Sequence, residues 1–374
     1  MNPLKSLLVL STILLVNKAT SQPLVSPEVD NDHRVTFRLR APEAKDVKVR
    51  CEGVKANDMQ KNEQGVWSLT SEPLEPDIYV YSFTIDGVHA IDPANALIKY
   101  NLLNIDSQVH VPGPKDLLWE LNDVPHGELH RHLYKSAIAG DDRDFIVYTP
   151  PGYDATAGKR YPALYLLHGY SDDTTAWSTV GCANIILDNL IARKQAHPMI
   201  IVMPLGYGTM EIVKAGWQRV RDRTLWEKNQ NQFRDALLKE VIPQAEAAYR
   251  ISSDQKSRAI AGLSMGGSES LLVGLGALDK FGWIGAFSSG GLSTNFVSQF
   301  ANLDDKANDK LRLLWIGCGT EDGLMKNNRD LHEWLASKNI RHTWKESPGA
   351  HSFRVWRRYL GEFAPLLFQN KRGS

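Results

Sequence analysis

The 374-residue chain is poor in cysteine and carries no excess of charge of either sign. Its three cysteines, Cys51, Cys182 and Cys318, are an odd number and show no C-x-x-C spacing. We therefore expect free, buried thiols, or at most one disulfide. Lys plus Arg and Asp plus Glu both number 43, so the chain lacks the basic footprint that nucleic-acid binding requires. No metal-ligand cluster or phosphate-binding loop is visible in the sequence, and we expect no cofactor.

Long apolar segments are absent after the first residues. The N-terminus combines Lys5 with an apolar run at 7–16 and small or polar residues at 19–22. This order predicts a secretory signal peptide over residues 1–21, because the run is too short to span a bilayer. A buried N-terminal helix is the alternative, but no amphipathic period supports it. We expect a secreted or periplasmic protein with no membrane association after cleavage.

Residues 22–112 show short strand patterns separated by turns. The clearest strand covers 78–85, where Tyr79, Tyr81 and Phe83 share one face. Further strand patterns occur at 34–40, 47–49 and 66–69. They predict a small β-sandwich, which a Pro-Gly-Pro linker at 112–114 joins to the rest of the chain. The aromatic strip on the clearest strand is more typical of a core than of a sugar-binding face.

From residue 113 to 374, apolar strands alternate with longer helices. The strand patterns are at 145–148, 163–167, 200–203, 258–262, 284–287, 311–316 and 342–345. The helical patterns are at 183–193, 229–249, 266–278, 327–337 and 353–368. Several strands are apolar throughout, as strands covered on both faces must be. The alternation predicts an α/β fold with a mostly parallel sheet.

The strongest chemical signal is the sequence GLSMGG at 262–267. It follows an apolar strand and opens a helix, which is the context that a G-x-S-x-G nucleophile elbow requires. The glycines allow close packing of the turn, and the helix N-terminus favours developing negative charge. Ser264 is therefore the predicted nucleophile. A chance glycine-rich turn is the alternative.

A serine hydroxyl needs a base, and in this fold the acid and then the histidine follow the serine along the chain. Three histidines remain after Ser264. His332 lies in a helical pattern and His342 in a strand pattern, whereas His351 lies in a turn before the last helix. Because a loop beyond the last strand can reach the serine, we predict His351 as the base.

The acid should lie on the loop that follows the strand at 311–316. Asp322 and Glu321 are adjacent there, and the residues alone do not decide between them. We favour Asp322, which would hold the imidazole tautomer and stabilise the imidazolium. Asp304 and Asp305 precede the strand and are weaker candidates.

Two backbone amides should bind the oxyanion. One is that of Met265, which follows the nucleophile, and the other that of Tyr170, on the loop after the strand at 163–167. His168 on the same loop is expected to pack beneath it rather than to act in catalysis. Trp177 and Tyr207 are candidate walls of a substrate pocket, and Trp177 is equally well explained as a core residue.

Residues 125–370 resemble carbohydrate esterase family 1, which includes feruloyl, acetylxylan and enterochelin esterases. The matching pieces are LLHG at 166–169, GLSMGG at 262–267, GCGTED at 317–322 and GAHSF at 349–353. The resemblance implies an α/β-hydrolase fold, with Asp322 as the acid. The N-terminal region resembles the immunoglobulin-like early-set sandwich related to glycogen-binding modules, on YVYSF at 79–83, DG at 86–87 and DPAN at 92–95.

These features predict a secreted serine esterase that acts on feruloylated or acetylated plant cell-wall polysaccharides. Release of hydroxycinnamate from arabinoxylan is the favoured activity. An acetylxylan esterase and a siderophore esterase are alternatives that keep the same mechanism. A glycan-binding protein with an inactive esterase domain is an alternative of another class, and the complete Ser, Asp and His set argues against it.

Overall fold

The computed structural model describes residues 23–55, 57–156, 158–219 and 222–369. The predicted signal peptide at 1–21 lies outside these residues. None of the helices in the described ranges has both the length and the apolar character needed to cross a bilayer. Cys51, Cys182 and Cys318 are buried and unbridged, which confirms the prediction of free thiols.

The N-terminal region folds into two antiparallel sheets that pack against each other. Its strands are β1 (Glu28–Val29), β2 (Val35–Arg40), β3 (Val47–Cys51), β4 (Gln60–Lys61), β5 (Val66–Thr70), β6 (Asp77–Ile85), β7 (Val88–Ala90), β8 (Ile98–Lys99) and β9 (Asp106–Val111). The strand orders are β1-β2-β5-β4 and β3-β6-β9-β8, and β7 pairs with β6. Phe37 from one sheet and Tyr79, Tyr81 and Phe83 from the other share one buried cluster. The aromatic strip of β6 is therefore core.

The rest of the chain is built on one mixed sheet. Its strands are β10 (Glu128–Lys135), β11 (Asp142–Thr149), β12 (Ala163–Leu167), β13 (Ile200–Pro204), β14 (Arg258–Leu263), β15 (Trp283–Phe287), β16 (Leu313–Gly319) and β17 (Thr343–Ser347). They are ordered β10-β11-β13-β12-β14-β15-β16-β17. Pairing is antiparallel at β10, β11 and β13, and parallel from β13 to β17. This arrangement confirms the predicted fold class.

Helices cover both faces of this sheet. They are α1 (Ala176–Thr179), α2 (Ala183–Ala192), α3 (Glu211–Lys214), α4 (Arg223–Ala236), α5 (Ile242–Ala248), α6 (Met265–Gly276), α7 (Phe296–Gln299), α8 (Ala307–Lys310), α9 (Met325–Ser337) and α10 (Phe353–Phe363). A π-helical segment, Leu237–Val241, joins α4 to α5. Pro243 follows it and has no N–H to continue the α-helical bonding pattern. Separate apolar clusters fill the two faces, with Leu271 in one and Tyr359 in the other.

Strand β10 is an edge strand that the sequence pattern does not predict. Its residues alternate between exposed and half-buried positions, and none is fully buried. It pairs with β11 in an unbroken antiparallel register from Glu128 opposite Thr149 to Lys135 opposite Asp142. A strand with polar side chains on both faces gives no apolar alternation, and its charges are typical of a protected sheet edge.

A buried ion-pair cluster joins the N-terminal sheets to α10. The Asp77 side chain, at the start of β6, is completely buried. It accepts hydrogen bonds from Arg357, which is also completely buried, and from Arg358 at 2.8 Å. Arg354 lies 3.4 Å from the same carboxylate. Since α10 begins two residues after His351, this cluster fixes the helix that directly follows the predicted base.

Candidate active site

Ser264 occupies a strained turn between β14 and α6. Its φ of 52° and ψ of −115° lie outside the regions that residues other than glycine readily adopt. Neighbouring glycines make this turn possible, since a Cβ on Gly266 would lie 2.5 Å from the His168 carbonyl oxygen. The Ser264 amide donates to the Phe287 carbonyl at 2.8 Å, and the Gly290 amide donates to the Ser264 carbonyl at 2.9 Å. These bonds hold the hydroxyl at the carboxyl ends of the parallel strands.

Three side chains from separate loops form a continuous hydrogen-bonded chain. The Nε2 atom of His351 lies 3.0 Å from the Oγ atom of Ser264. The Nδ1 atom of His351 lies 2.7 Å from the Oδ2 atom of Asp322. The Asp322 side chain is 1% exposed, whereas that of His351 is 36% exposed. The imidazole can therefore reach the serine and a substrate while the carboxylate stays out of water.

The environment of Asp322 keeps its carboxylate ionised. Burial raises its pKa, but the hydrogen bond and charge of His351, the Leu324 amide and the Ser288 hydroxyl together bring the pKa below its usual value. The Leu324 amide donates to Oδ1 at 2.8 Å. Glu321 is exposed and its side chain makes no contact of this kind with His351 in the described residues. The geometry therefore favours Asp322 over Glu321 as the partner of the imidazole.

Asp322→Asn should lower kcat by about 10⁴-fold. An asparagine amide would donate a hydrogen bond to Nδ1, so the proton of the neutral imidazole would lie on Nε2. A protonated Nε2 cannot accept the proton of Ser264. The measurement is the hydrolysis of 4-nitrophenyl acetate by both proteins at pH 7. Glu321→Gln is the matched control and should keep wild-type activity. Loss of activity in Glu321→Gln with full activity in Asp322→Asn would identify Glu321 as the acid instead.

Trp356 and Ser288 complete the surroundings of the histidine. The Trp356 ring packs edge-on against the His351 ring, with centroids 4.8 Å apart. Its indole N–H donates to the Ser288 hydroxyl at 3.1 Å. Both residues restrict the orientation of the imidazole and its acid. The role of Ser288 is not predictable from the sequence, because nothing in its local pattern separates it from other buried serines.

The predicted oxyanion amides lie on either side of the elbow. Met265 is the first residue of α6, so its N–H has no acceptor within the helix. Tyr170 follows Gly169, where a Cβ would lie 3.4 Å from the Ser264 Cβ. Neither amide donates a hydrogen bond to another group in the described part of the chain. The assignment of these two donors stays a prediction that this arrangement favours.

His168 is fixed beneath this loop. Its Nδ1–H donates to the Gly169 carbonyl at 2.8 Å, and its Nε2 accepts from the Gly206 amide at 2.8 Å. Burial lowers the pKa of the imidazole, even though the Gly169 carbonyl and nearby carboxylates act in the opposite direction. Both ring nitrogens are occupied and the ring is neutral. The structure thus gives His168 the packing position expected of it.

Trp177 and Tyr207 do not line an open pocket, which corrects their assignment as substrate-binding residues. Trp177 is 1% exposed, and its indole N–H donates to the Leu167 carbonyl at 2.9 Å. Tyr207 is completely buried, and its hydroxyl donates to the Asp172 carbonyl at 3.0 Å. Trp177 thus contacts the end of β12, and Tyr207 contacts the loop around Tyr170.

The apolar surroundings of Tyr170 include residues that its own stretch of sequence does not predict. Leu102 and Leu103, from the turn between β8 and β9, pack against the cluster that contains Tyr170 and Met265. Trp217 is 55% exposed and stacks edge-on against Tyr170. The two leucines lie in the N-terminal region of the sequence, so no local pattern connects them with the serine.

Glu269 is a buried acid inside α6, the helix that begins after Ser264. It is 1% exposed, and neither carboxyl oxygen has a hydrogen-bond partner within the described residues. Burial raises its pKa well above the usual value. The folded protein therefore keeps Glu269 protonated at a pH where the unfolded chain, with a glutamate pKa of about 4.3, has released the proton.

The difference in the free energy of unfolding between Glu269→Gln and the wild type should grow in favour of the variant as pH increases. Below the unfolded pKa, both states of the wild type hold the proton and the residue adds no pH dependence. Above the unfolded pKa, the free energy of unfolding of the wild type falls by about 1.4 kcal/mol per pH unit until the folded pKa is reached. The glutamine variant shows no such fall, because glutamine does not ionise. Urea denaturation at pH 4 and pH 8 measures the difference. Glu321→Gln is the exposed control, and parallel pH profiles for the wild type and Glu269→Gln would contradict the assignment.

Comparison with known proteins agrees with this geometry. Residues 136–365 match the family described as putative esterase. The chain is 32% identical over 351 residues to the endo-1,4-beta-xylanase/feruloyl esterase of Xylanibacter ruminicola, an alignment that covers 92% of this chain and 46% of that protein. This chain thus spans about half the length of that relative.

Two solved structures have similar folds. The CE1 ferulic acid esterase of the anaerobic fungus Anaeromyces mucronatus has a TM-score of 0.59 and 25% identity, covering 68% of this chain and 96% of that one. Enterochelin esterase from Shigella flexneri has a TM-score of 0.67 and 19% identity, covering 93% of this chain and 96% of that one. At that identity the second likeness shows the fold alone.

Proposed function

The chain belongs to the esterase family that its residues 136–365 match, and on this premise we propose that it is a secreted or periplasmic feruloyl esterase. Its substrate would be a hydroxycinnamate ester on arabinoxylan. The observation that carries the mechanism is the chain of contacts from Asp322 through His351 to the Ser264 hydroxyl, at 2.7 and 3.0 Å. No cofactor enters the proposed reaction.

In the acylation half, the Ser264 oxygen attacks the ester carbonyl while His351 Nε2 takes the serine proton. The carbonyl oxygen becomes an oxyanion between the Met265 and Tyr170 amides, which are oriented before charge develops. The tetrahedral intermediate then collapses, and His351 gives its proton to the departing sugar alcohol. Asp322 stabilises the imidazolium throughout without itself being protonated.

In the deacylation half, water replaces the sugar alcohol. His351 removes a proton from the water as it attacks the acyl-enzyme, and the same amides hold the second oxyanion. Collapse returns the proton to Ser264 and releases the carboxylic acid. Since His351 is 36% exposed at its side chain, water reaches it once the alcohol has left.

The relatives support the choice of acyl group. The Xylanibacter ruminicola protein is named a xylanase and feruloyl esterase, and its alignment includes nearly all of this chain. The Anaeromyces mucronatus structure is named a ferulic acid esterase. A polymeric wall substrate also requires an enzyme outside the inner membrane, which agrees with the predicted signal peptide.

The proposal is tested with purified protein on methyl ferulate, methyl p-coumarate and acetylated xylan, with Ser264→Ala as the control. We expect kcat/KM for the two hydroxycinnamates to exceed that for acetyl release, and the variant to lose all three activities. Release of acetate without release of ferulate would replace the proposal with an acetylxylan esterase. Hydrolysis of a siderophore triester alone would replace it with a siderophore esterase.

A further inference from the structure

The loop that contains Tyr170 is held from outside the hydrolase sheet. We call residues 168–172 the oxyanion loop. The Asp172 carboxylate accepts from Lys99 Nζ at 2.7 Å and from Asn101 Nδ2 at 3.0 Å. The same Asn101 amide group lies 3.0 Å from the Ser171 hydroxyl oxygen. The Leu102 amide donates to the Ser171 carbonyl at 2.7 Å.

These contacts surround a strained turn with Tyr170 at its centre. The Asp172 amide donates to the Gly169 carbonyl at 3.3 Å, so Tyr170 and Ser171 are the central residues of a four-residue turn. Ser171 has a φ of 71°, a value that such a turn normally assigns to glycine or asparagine. A non-glycine residue keeps this conformation only where its surroundings over-determine it.

The contacts are buried, which makes them strong constraints. The Asp172 side chain is 7% exposed and that of Lys99 is 13% exposed. Asn101 is 8% exposed, and its Oδ1 accepts from the Leu103 and Asn104 amides at 3.0 Å each. The Asn101 amide thus donates to the oxyanion loop while its own Oδ1 atom is held by the two backbone amides that follow it. Charge-assisted bonds of this kind are shorter and stronger than neutral ones.

We propose that Lys99 and Asn101 are positioning residues for ester hydrolysis, which hold the Tyr170 amide where the tetrahedral oxyanion forms. The N-terminal sheets thereby complete the catalytic centre, in addition to any role in binding polysaccharide. This inference rests on the proposed serine-esterase function. The two residues act through Ser171 and Asp172, and neither side chain forms a hydrogen bond with Ser264 in the described part of the chain.

The proposal predicts a selective loss of transition-state stabilisation. Displacing the Tyr170 amide should weaken binding of the neutral ester only slightly. The hydrogen bond from this amide matters most when negative charge develops on the carbonyl oxygen of the ester. Lys99→Met and Asn101→Asp should each lower kcat by about 10- to 100-fold, in line with the effect of a 1 Å misplacement. KM should change by less than about threefold, since ground-state contacts are kept. The pH midpoint of activity should stay the same, since the His351–Asp322 pair is untouched.

The experiment uses the full chain with 4-nitrophenyl acetate and phenylboronic acid. The boronate adds to Ser264 as a tetrahedral anion, so its inhibition constant reports the oxyanion site independently of turnover. We expect the inhibition constant to rise by the same factor as kcat/KM falls. Lys48→Met is the matched control, because its exposed ion pairs with Asp46 and Asp58 lie on the same sheets away from the oxyanion loop.

One further variant keeps the test decisive. If Lys99→Met does not fold because Asp172 is left as an unpaired buried charge, Lys99→Met/Asp172→Asn removes both charges and should show the same loss of kcat. Folded variants with wild-type kcat would overturn the proposal, and so would a lower kcat with unchanged boronate affinity. A wild-type protein without esterase activity would instead refute the proposed function itself.

Discussion

Replacing His351 with alanine should lower kcat for 4-nitrophenyl acetate by about 10⁵- to 10⁶-fold. The imidazole Nε2 lies 3.0 Å from the Ser264 hydroxyl oxygen, and no other histidine ring reaches that oxygen among the described residues. Without a base the hydroxyl stays protonated at neutral pH and is a weak nucleophile. Any remaining rate would come from substrate binding and the oxyanion amides.

His332→Ala is the control for this variant. His332 and His342 lie in the same part of the chain, but their rings bond to each other, with Nδ1 of one 2.7 Å from Nε2 of the other. We expect His332→Ala to keep nearly full activity, measured by steady-state kinetics at pH 7 on both proteins. Loss of activity in His332→Ala with retention in His351→Ala would contradict the assignment of the base.

Asp77→Ala should lower the free energy of unfolding by about 3–5 kcal/mol. The variant leaves the completely buried Arg357 guanidinium without its carboxylate, and Arg354 and Arg358 lose the same partner. An unpaired buried charge costs far more than the loss of one surface ion pair, which is worth about 0–1 kcal/mol. Urea denaturation followed by tryptophan fluorescence measures the change.

Asp46→Ala is the matched control for the buried cluster. Asp46 pairs with Lys48 at 3.8 Å, and its side chain is 55% exposed. This variant should change the free energy of unfolding by less than about 0.5 kcal/mol. Asp77→Ala should also lose activity at a lower temperature than wild type, because the buried cluster holds α10, which begins directly after His351 and Ser352. The Ser352 hydroxyl itself donates to Glu52 of the N-terminal region at 2.8 Å. Equal stability of the two variants would show that the cluster does not join the two regions.

The hydrogen-bonded set of Ser264, His351 and Asp322 was predictable because the proposed chemistry restricts the order of such residues along the chain. The elbow sequence at 262–267 has few alternative interpretations, and the order Ser, Asp, His left three histidines to consider. Loop position then separated His351 from the two others. The choice between Asp322 and Glu321 depended on resemblance, since adjacent carboxylates differ only in the direction that the folded loop gives them.

The surroundings of the site were not predictable in the same way. Trp177 and Tyr207 lie after the expected strands, but both side chains are buried in apolar clusters and do not line a pocket. Lys99 and Asn101 contact Asp172 from about seventy positions earlier in the chain, and no periodicity or motif encodes such a contact. Strand β10 was not predicted because an exposed edge strand does not need an apolar face, so its sequence lacks the alternation that identifies a strand.

The most direct test of the account is covalent labelling with a fluorophosphonate probe, followed by mass spectrometry of the peptides. We predict one adduct per wild-type chain, located on Ser264. Ser264→Ala should give none, and His351→Ala should react far more slowly. Folded wild-type protein that stays unlabelled, or an adduct on a different serine, would contradict the claim that Ser264 is the activated nucleophile.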